Sequence, residues 1–214
     1  ATAPPGNNGT VNIVGVLEAL RKNLKHKFRV LICYDMDEDN TLAALKGYDH
    51  SGFEIGYVKN RGKGALGAVL TGLEDSSAPA VLVMPADDDY NAPRLDEMVT
   101  KMLAGADIVT PSRFIGDGCM VNCPAIKNIL VRTTAFTMYH VARLPTHDAT
   151  NGFRMFSQRV IRSIPIESRV GFAYGLELLA KAHRLGWKVE EVPVQWFERK
   201  AGASRFRVFK WAPQ

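Results

Sequence analysis

The chain has 214 residues, of which 46% are hydrophobic and 23% charged. This composition is typical of a globular protein and excludes a disordered or fibrous one. No uncharged apolar run approaches the roughly 18 residues that a membrane-spanning helix needs, and we expect no leader segment. Three cysteines are too few for a disulfide scaffold, so we expect a reducing, cytosolic setting.

The formal net charge of +5 is unevenly distributed along the chain. Residues 1–126 carry a net charge of −4, and residues 127–214 carry +9. The acidic front half argues against a nucleic-acid-binding protein, which would have a basic stripe throughout. Carboxylates that hold a metal, facing cations that hold phosphates, would account for both halves. A solvated charged surface would give the same composition, so charge alone leaves both interpretations open.

Helices and strands are predicted to alternate in the first 110 residues. Apolar residues at helical spacing predict a first helix at 11–24. Four apolar strands are expected at 28–34, 53–58, 80–84 and 106–110, with helices near 42–45, 64–73 and 93–103. Such apolar strands alternating with helices predict an α/β fold with a mostly parallel sheet covered on both faces. The back half predicts helices at 125–142 and 173–184 and a final strand at 187–194.

Three of the predicted strands end in acidic or glycine-rich segments, at 35–39, 60–64 and 87–89. Ligands of open parallel sheets bind beyond the carboxyl ends of the strands. In the last of these segments, Asp87 and Asp89 stand at i and i+2 and could both reach one Mg²⁺ or Mn²⁺ ion on a diphosphate. An acidic turn before a helix N-terminus explains the same residues equally well.

The other two strand ends also allow more than one interpretation. Asp35, Asp37 and Asp39 could bind a base or ribose, or could simply precede a helix, and they lack the glycine of a calcium loop. Gly62, Gly64 and Gly67 match a dinucleotide-binding pattern. That pattern is weak here, because an earlier strand–helix unit precedes it and three acids follow the next strand.

Two further segments carry polar chemistry. In the segment 147–154, Asp148 and Arg154 could orient each other or face a substrate, whereas His147 is more typical of a structural histidine. Residues 196–211 interleave cations with aromatic side chains. That pattern suits phosphate contact and a membrane interface, single-stranded nucleic acid, or an amphipathic end packed on the body.

Several motifs in order resemble those of family-2 glycosyltransferases with the GT-A fold, in particular the dolichol- or polyprenol-phosphate mannosyltransferase-like enzymes. They are Pro5-Gly6-Asn7-Asn8, Tyr34 through Thr41, Asn60-Arg61-Gly62-Lys63-Gly64, Pro85-Ala86-Asp87-Asp88-Asp89, Ser112-Arg113-Phe114, Asp148 through Arg154, and Gly202-Ala203-Ser204-Arg205. Each motif is weak alone, but the ordered set is specific, and it removes the dinucleotide interpretation.

The resemblance implies inverting transfer of a hexose from a nucleotide-diphosphate sugar such as GDP-mannose or UDP-glucose to a polyprenyl-phosphate lipid, with Mg²⁺ or Mn²⁺. Asp87 and Asp89 would hold the metal, and Asp87, Asp148 and Arg154 would be the catalytic residues, with Asp148 as base for a hydroxyl acceptor. The substrate- and nucleotide-binding residues would be Pro5, Asn8, Asp35, Asp37, Asp39, Lys63, Arg113, Arg132, Ser204 and Arg205. The protein would lie in the cytoplasm, peripheral at the inner membrane face, and would bind no nucleic acid.

The sequence also departs from the family pattern. Gly9 stands where the family has Glu, Pro85 replaces the first Asp of the metal motif, and Val131 replaces a Ser. A single catalytic domain over residues 1–214 is expected, with its first strand missing or very short and truncation at either end left open. Two alternatives therefore remain: a glycosyltransferase for a soluble or polysaccharide hydroxyl, and a nucleotide-sugar-binding module without turnover.

Overall fold

The computed structural model describes residues 9–85, 88–169 and 171–197. Its front half alternates helices and strands, as the periodicity predicts. In chain order these elements are α1 (Gly9–Asn23), β1 (Arg29–Tyr34), α2 (Asn40–Leu45), β2 (Glu54–Lys59), α3 (Gly64–Asp75), β3 (Ala80–Val83), a 3₁₀ turn (Ala92–Arg94), α4 (Leu95–Leu103) and β4 (Ile108–Ser112).

The back half is less regular. It contains β5 (Cys119–Val121), α5 (Ala125–Phe136), a π-helical turn that extends α5 (Thr137–Val141), β6 (Arg154–Ser157), α6 (Gln158–Ser163), α7 (Ala173–Arg184), β7 (Val189–Pro193) and β8 (Gln195–Phe197). The long helix expected at 125–142 is therefore present as α5 with its π turn, and α7 has the bounds expected from the sequence.

The strands form three hydrogen-bonded groups. The pair β1–β2 is parallel, with Tyr34 opposite Lys59. The largest sheet has the order β3-β6-β4-β7, in which β6 is antiparallel to both of its neighbours and β4 is parallel to β7. Three of its four strands thus share one direction. The short strands β5 and β8 form a further parallel pair.

The arrangement of the strands in sheets differs from the one predicted from the sequence. The sequence predicted one parallel sheet from the first four strands, but β6 lies between β3 and β4, and within the described ranges no strand links β1 to β3. Strand β6 has only four residues and follows a polar segment. Such a run is too short for its hydrophobic periodicity to identify it.

Two hydrophobic cores cover the two faces of the main sheet. Neighbouring strand residues point to opposite faces, so Val109 and Met155 join the core beneath α1, whereas Ile108 and Phe156 join the core beneath α6 and α7. Ile32 of β1 also packs in the first core. The β1–β2 pair and the main sheet therefore share an apolar interior, as a sheet with helices on both faces requires.

No helix in the described part of the chain is both long enough and apolar enough to cross a membrane.

Candidate functional site

The loops after β1 and β2 meet at one edge of the fold. Because the strands are parallel and Tyr34 pairs with Lys59, the residues that follow them come together, and Asn60 N donates to Tyr34 O at 2.8 Å. The Asn60 amide then donates to Asp35 Oδ1 at 2.5 Å and to Gly64 O at 3.1 Å. Two segments that the sequence singled out separately are thus joined by Asn60.

The glycine-rich turn is held by close backbone contact. Asn60 Oδ1 accepts a hydrogen bond from Gly62 N at 2.8 Å. A Cβ atom on Gly67 would lie 2.7 Å from Asn60 Oδ1 and 2.7 Å from the carbonyl carbon of Gly62. These distances are below van der Waals contact, so Gly67 lets the first turn of α3 approach the loop. Lys63 immediately precedes α3, and its side chain is exposed.

The remaining acids after β1 have defined local partners. Asp37 forms an exposed ion pair with Lys59, with 2.5 Å between Oδ2 and Nζ. That hydrogen bond raises the pKa of Lys59. Asp39 caps α2, where its carboxylate accepts from Thr41 N at 2.8 Å. Asp35 and Asp37 therefore lie beside the glycine-rich turn, whereas Asp39 stabilises the adjacent helix.

The acidic segment after β3 is connected to β8 by hydrogen bonds through Asn91. Both carboxylate oxygens of Asp88 accept from the Asn91 amide at 2.9 Å. The same amide donates to Gln195 O at 2.9 Å, and Asn91 Oδ1 accepts from Gln195 N at 3.0 Å. Asn91 is buried and was not singled out from the sequence. The only available signal was its three-residue spacing from Asp88, which is typical of a polar turn.

Asp89 is exposed and faces α1. Its Oδ2 lies 4.0 Å from the position that a Cβ on Gly15 would take. Asp87 lies outside the described residues, as do Pro5, Asn8, Ser204 and Arg205. Within the described ranges, which do not include Asp87, no group of three or more His, Cys, Asp or Glu side chains could hold a metal ion.

Arg113 and Asp148 form a buried two-point salt bridge. Arg113 Nε donates to Asp148 Oδ2 at 2.6 Å and Nη2 donates to Oδ1 at 2.7 Å. The backbone N of Arg113 also donates to Oδ2, at 3.1 Å. The side chain of Asp148 is 0% exposed and that of Arg113 is 11% exposed. A carboxylate in this setting orients Arg113 and does not resemble a free general base.

Arg154 lies in the interior, with 1% of its surface exposed. Its guanidinium donates to the backbone carbonyls of Gly175 and Ala149, and burial lowers its pKa to about 10. The prediction that Arg154 faces a substrate conflicts with this placement. The sequence shows a cation next to a polar motif, but it does not show that the first residue of β6 points into the protein.

A second cation stands beside Arg113. Both guanidinium groups lie over the Phe114 ring, with the Arg113 carbon 5.5 Å and the Arg132 carbon 5.1 Å from the ring centroid. Arg132 is exposed, and its Nε donates to Asn128 Oδ1 at 2.9 Å. The structure thus brings together two of the predicted phosphate-binding residues. The sequence had not indicated that both contact Phe114.

His147 is paired with a carboxylate, which the sequence did not predict. Its Nδ1 lies 2.7 Å from Glu191 Oε2, and its backbone N donates to Glu191 Oε1 at 2.8 Å. The Tyr139 ring stacks on the imidazole with 4.0 Å between centroids. Because 44 residues separate the pair, no local motif could have revealed it.

Residues 8–164 match the family model described as Glycosyl transferase family 2. A polyprenol monophosphomannose synthase of Mycolicibacterium smegmatis is 28% identical over 145 residues, which cover 62% of this chain and 55% of that relative. The chain therefore spans little more than half of that relative's length. An uncharacterized glycosyltransferase of Mycobacterium bovis is 26% identical over 178 residues, covering 83% and 78%.

Solved structures of glucosyl-3-phosphoglycerate synthase from Mycobacterium tuberculosis have a similar fold. The complex with UDP has a TM-score of 0.66 at 15% identity and covers 97% of this chain and 73% of that one. The complex with Mn²⁺, UDP-glucose and phosphoglyceric acid has a TM-score of 0.68 at 15% identity, covering 98% and 73%. These likenesses confirm the α/β GT-A fold. Because the family model matches well over half of the sequence, including every strand-end motif described above, the chain belongs to glycosyl transferase family 2.

Proposed function

We propose that the protein transfers a hexose, with inversion, from a nucleotide-diphosphate sugar of the GDP-mannose or UDP-glucose type to a polyprenyl phosphate, with a divalent cation. The observation that carries the proposal is the contact of Asp35 with Asn60 at the carboxyl ends of two parallel strands in a family-2 chain. Open α/β sheets bind their ligands at such strand ends.

The donor nucleotide would lie along this edge. Asp35 and Asp37 would contact the base or ribose, and Asp39 would hold α2 in place behind them. Lys63, exposed at the start of α3, would meet a phosphate, and cations and helix N-termini both favour anions. Pro5, Asn8, Ser204 and Arg205 would complete the site from outside the described residues.

The acidic residues after β3 would hold a hard divalent cation. Mg²⁺ and Mn²⁺ prefer carboxylate oxygens. Because Asp88 is turned toward Asn91, the ligands would be Asp87 and Asp89. Structures of the M. tuberculosis synthase hold Mn²⁺ or Mg²⁺ together with UDP. When bound, the ion would neutralise charge on the departing nucleoside diphosphate.

The acceptor phosphate would lie against Arg113 and Arg132. Two guanidinium groups beside one ring would suit a doubly charged phosphate, and Asp148 fixes one of them. A relative named polyprenol monophosphomannose synthase supports a polyprenyl phosphate over other phosphates. The enzyme would then work at the inner face of the cytoplasmic membrane, as a peripheral protein.

A phosphate acceptor also suits the state of Asp148. In the reaction an acceptor oxygen forms a bond to the anomeric carbon, while the bond from that carbon to the nucleoside diphosphate breaks. A phosphate oxygen is already anionic and needs orientation more than a base. A hydroxyl acceptor would need a base, and the carboxylate of Asp148 is fully buried and bonded to Arg113.

The test is a transfer assay with radiolabelled GDP-mannose and UDP-glucose in the presence of Mn²⁺. We expect label in the lipid fraction when polyprenyl phosphate is supplied. Label appearing only on a hydroxyl acceptor, such as phosphoglyceric acid or a polysaccharide, would replace the proposal with the soluble-acceptor alternative. Donor binding in calorimetry without transfer or hydrolysis would instead identify a binding module.

A further inference from the structure

The helix formed by α5 and its π turn has apolar side chains on two opposite sides. Ala135 and Met138 lie toward the body, where Ala135 is 3% exposed and Met138 packs against a small core cluster. The other side is the outward face, whose large apolar residues are Ile126, Ile129, Leu130, Phe136 and Val141, at 77%, 64%, 50%, 62% and 73% exposure. A helix that is apolar on both sides is normally covered on both.

The outward face is a stripe and not a scatter of single residues. Ile126, Ile129, Leu130 and Phe136 stand at helical spacing, so their side chains line one surface. Elsewhere in the described structure, exposed leucines such as Leu103 and Leu185 lie on separate elements. Single exposed apolar residues are ordinary, whereas a contiguous stripe marks an interaction surface.

The charged residues within and beside α5 in the sequence have one sign. Residues 118–147 contain no Asp or Glu, and they include Lys127, Arg132 and Arg143. On a helix, Lys127 and Arg132 fall on opposite shoulders of the apolar stripe. An apolar stripe bordered by cations is typical of a helix that lies in the interface of an anionic membrane.

Other occupants fit the charge less well. A second copy of the chain would bring two cationic borders together. The last residues, 198–214, carry five basic residues against one acidic residue, so the same like-charge repulsion disfavours them as the occupant. An anionic lipid surface attracts the cations that border the outward face and also the basic residues at 198–214.

The outward face is continuous with the proposed acceptor site. Arg132 belongs to α5 and contacts the Phe114 ring, which Arg113 also contacts. A bilayer in contact with the stripe would therefore present lipid headgroups beside these two arginines.

We propose that the outward face of α5 docks on the surface of an anionic lipid bilayer and presents Arg132 to a lipid phosphate. The identity of that phosphate rests on the proposed function, but the docking itself does not. The helix would lie parallel to the membrane plane, with its isoleucines and Phe136 among the acyl chains and its cations at the headgroups.

The test is flotation of the full chain with vesicles that hold neither donor nor polyprenyl phosphate. One set is phosphatidylcholine, and the other contains about one third phosphatidylglycerol, enough to create a negative surface potential. We expect flotation with the anionic set and its loss at high salt. The variant Ile126→Ser/Ile129→Ser/Phe136→Ser should bind at least tenfold more weakly, whereas the matched control Leu103→Ser/Leu185→Ser should float like the wild type.

Ile129→Glu, a single change at an exposed position, serves as a second variant if the triple variant misfolds. Absence of flotation by the wild type, or equal flotation by the stripe variants, would overturn the proposal. A wild-type dimer that these variants dissociate in light scattering would also overturn it, because the face would then bind a second copy. Transfer to a short, water-soluble prenyl phosphate reports separately on the proposed function, and the stripe variants should retain it.

Discussion

Arg113 and Asp148 connect the end of β4 to the loop before β6 through two side-chain hydrogen bonds of 2.6 and 2.7 Å. The pair lies at the point where the resemblance to glycosyltransferases implied a phosphate-binding arginine and a candidate base. Its geometry makes the two residues one unit, in which the buried carboxylate sets the direction of the guanidinium.

Replacing Asp148 should therefore destabilise the fold as well as impair activity. Removing one partner of a buried ion pair leaves an unpaired charge and costs about 3–5 kcal/mol. We expect a loss of this size for Asp148→Ala in urea unfolding. Asp117→Ala, which breaks an exposed pair with Arg94, should change little. An Asp148→Ala protein with wild-type stability and no activity would instead indicate a free catalytic base.

The close contact at Gly67 predicts that even one added methyl group is harmful. In Gly67→Ala, the new Cβ would meet Asn60 Oδ1 and the Gly62 backbone at 2.7 Å, and overpacking of this kind costs about 1–3 kcal/mol. Thermal unfolding should show the loss, and calorimetry should show weaker binding of the nucleotide. Gly15→Ala is the matched helical control, because its nearest neighbour is 4.0 Å away. Equal thermal stability and equal nucleotide binding of the two variants would show that the turn at Gly67 is not tightly packed.

The bond from Asn60 to Asp35 predicts a pH-dependent defect. Asn60→Asp would place two carboxylates at a distance of about 2.5 Å, where they cannot both remain ionised without strong repulsion. We expect weak nucleotide binding at pH 8 and partial recovery in acid, where one carboxyl group takes up a proton. Asn60→Ala should bind weakly at both pH values. If the binding defect of Asn60→Asp were the same at pH 8 and in acid, the side chains at positions 35 and 60 would not interact.

Glu177 provides a test of the fold away from the candidate site. Partial burial acts to raise its pKa, but hydrogen bonds from Lys181 and from the backbone of Glu167 and Ser168 outweigh this effect and lower the pKa to about 2, from a usual 4.5. The ionised form is therefore stabilised by folding. This contribution is complete above the unfolded pKa and is lost as the pH falls through the folded pKa.

We expect Glu177→Gln to lower the unfolding free energy by about 1–2 kcal/mol at neutral pH. The difference from the wild type should shrink between pH 4.5 and pH 2. Glu167→Gln, whose side chain is 77% exposed, is the control and should have a small effect. A difference between Glu177→Gln and the wild type that does not change with pH would contradict the hydrogen-bonded carboxylate.

The sequence predicted those features that depend on local periodicity and on strand direction. Helix α7 has the expected bounds because its apolar spacing is regular, and Asp35 meets the Asn60 loop because parallel strands end at the same edge. Pairings across long separations were not predictable. The pair of His147 with Glu191 is one example. The insertion of β6 between β3 and β4 and the burial of Arg154 were not predictable either, because each depends on tertiary packing that no sequence spacing encodes.

In the proposed reaction a divalent cation held after β3 assists the departure of the nucleotide while a lipid phosphate attacks the sugar. The most direct measurement is metal-dependent transfer of radiolabelled sugar to polyprenyl phosphate by the wild type, Asp87→Ala and Asp89→Ala, with Asp117→Ala as control. We predict transfer by the wild type and the control that EDTA abolishes and added Mn²⁺ restores, and a loss of at least a hundredfold in both site variants. Transfer that persists in EDTA, or that is undiminished in Asp87→Ala, would show that no divalent cation bound after β3 assists the reaction.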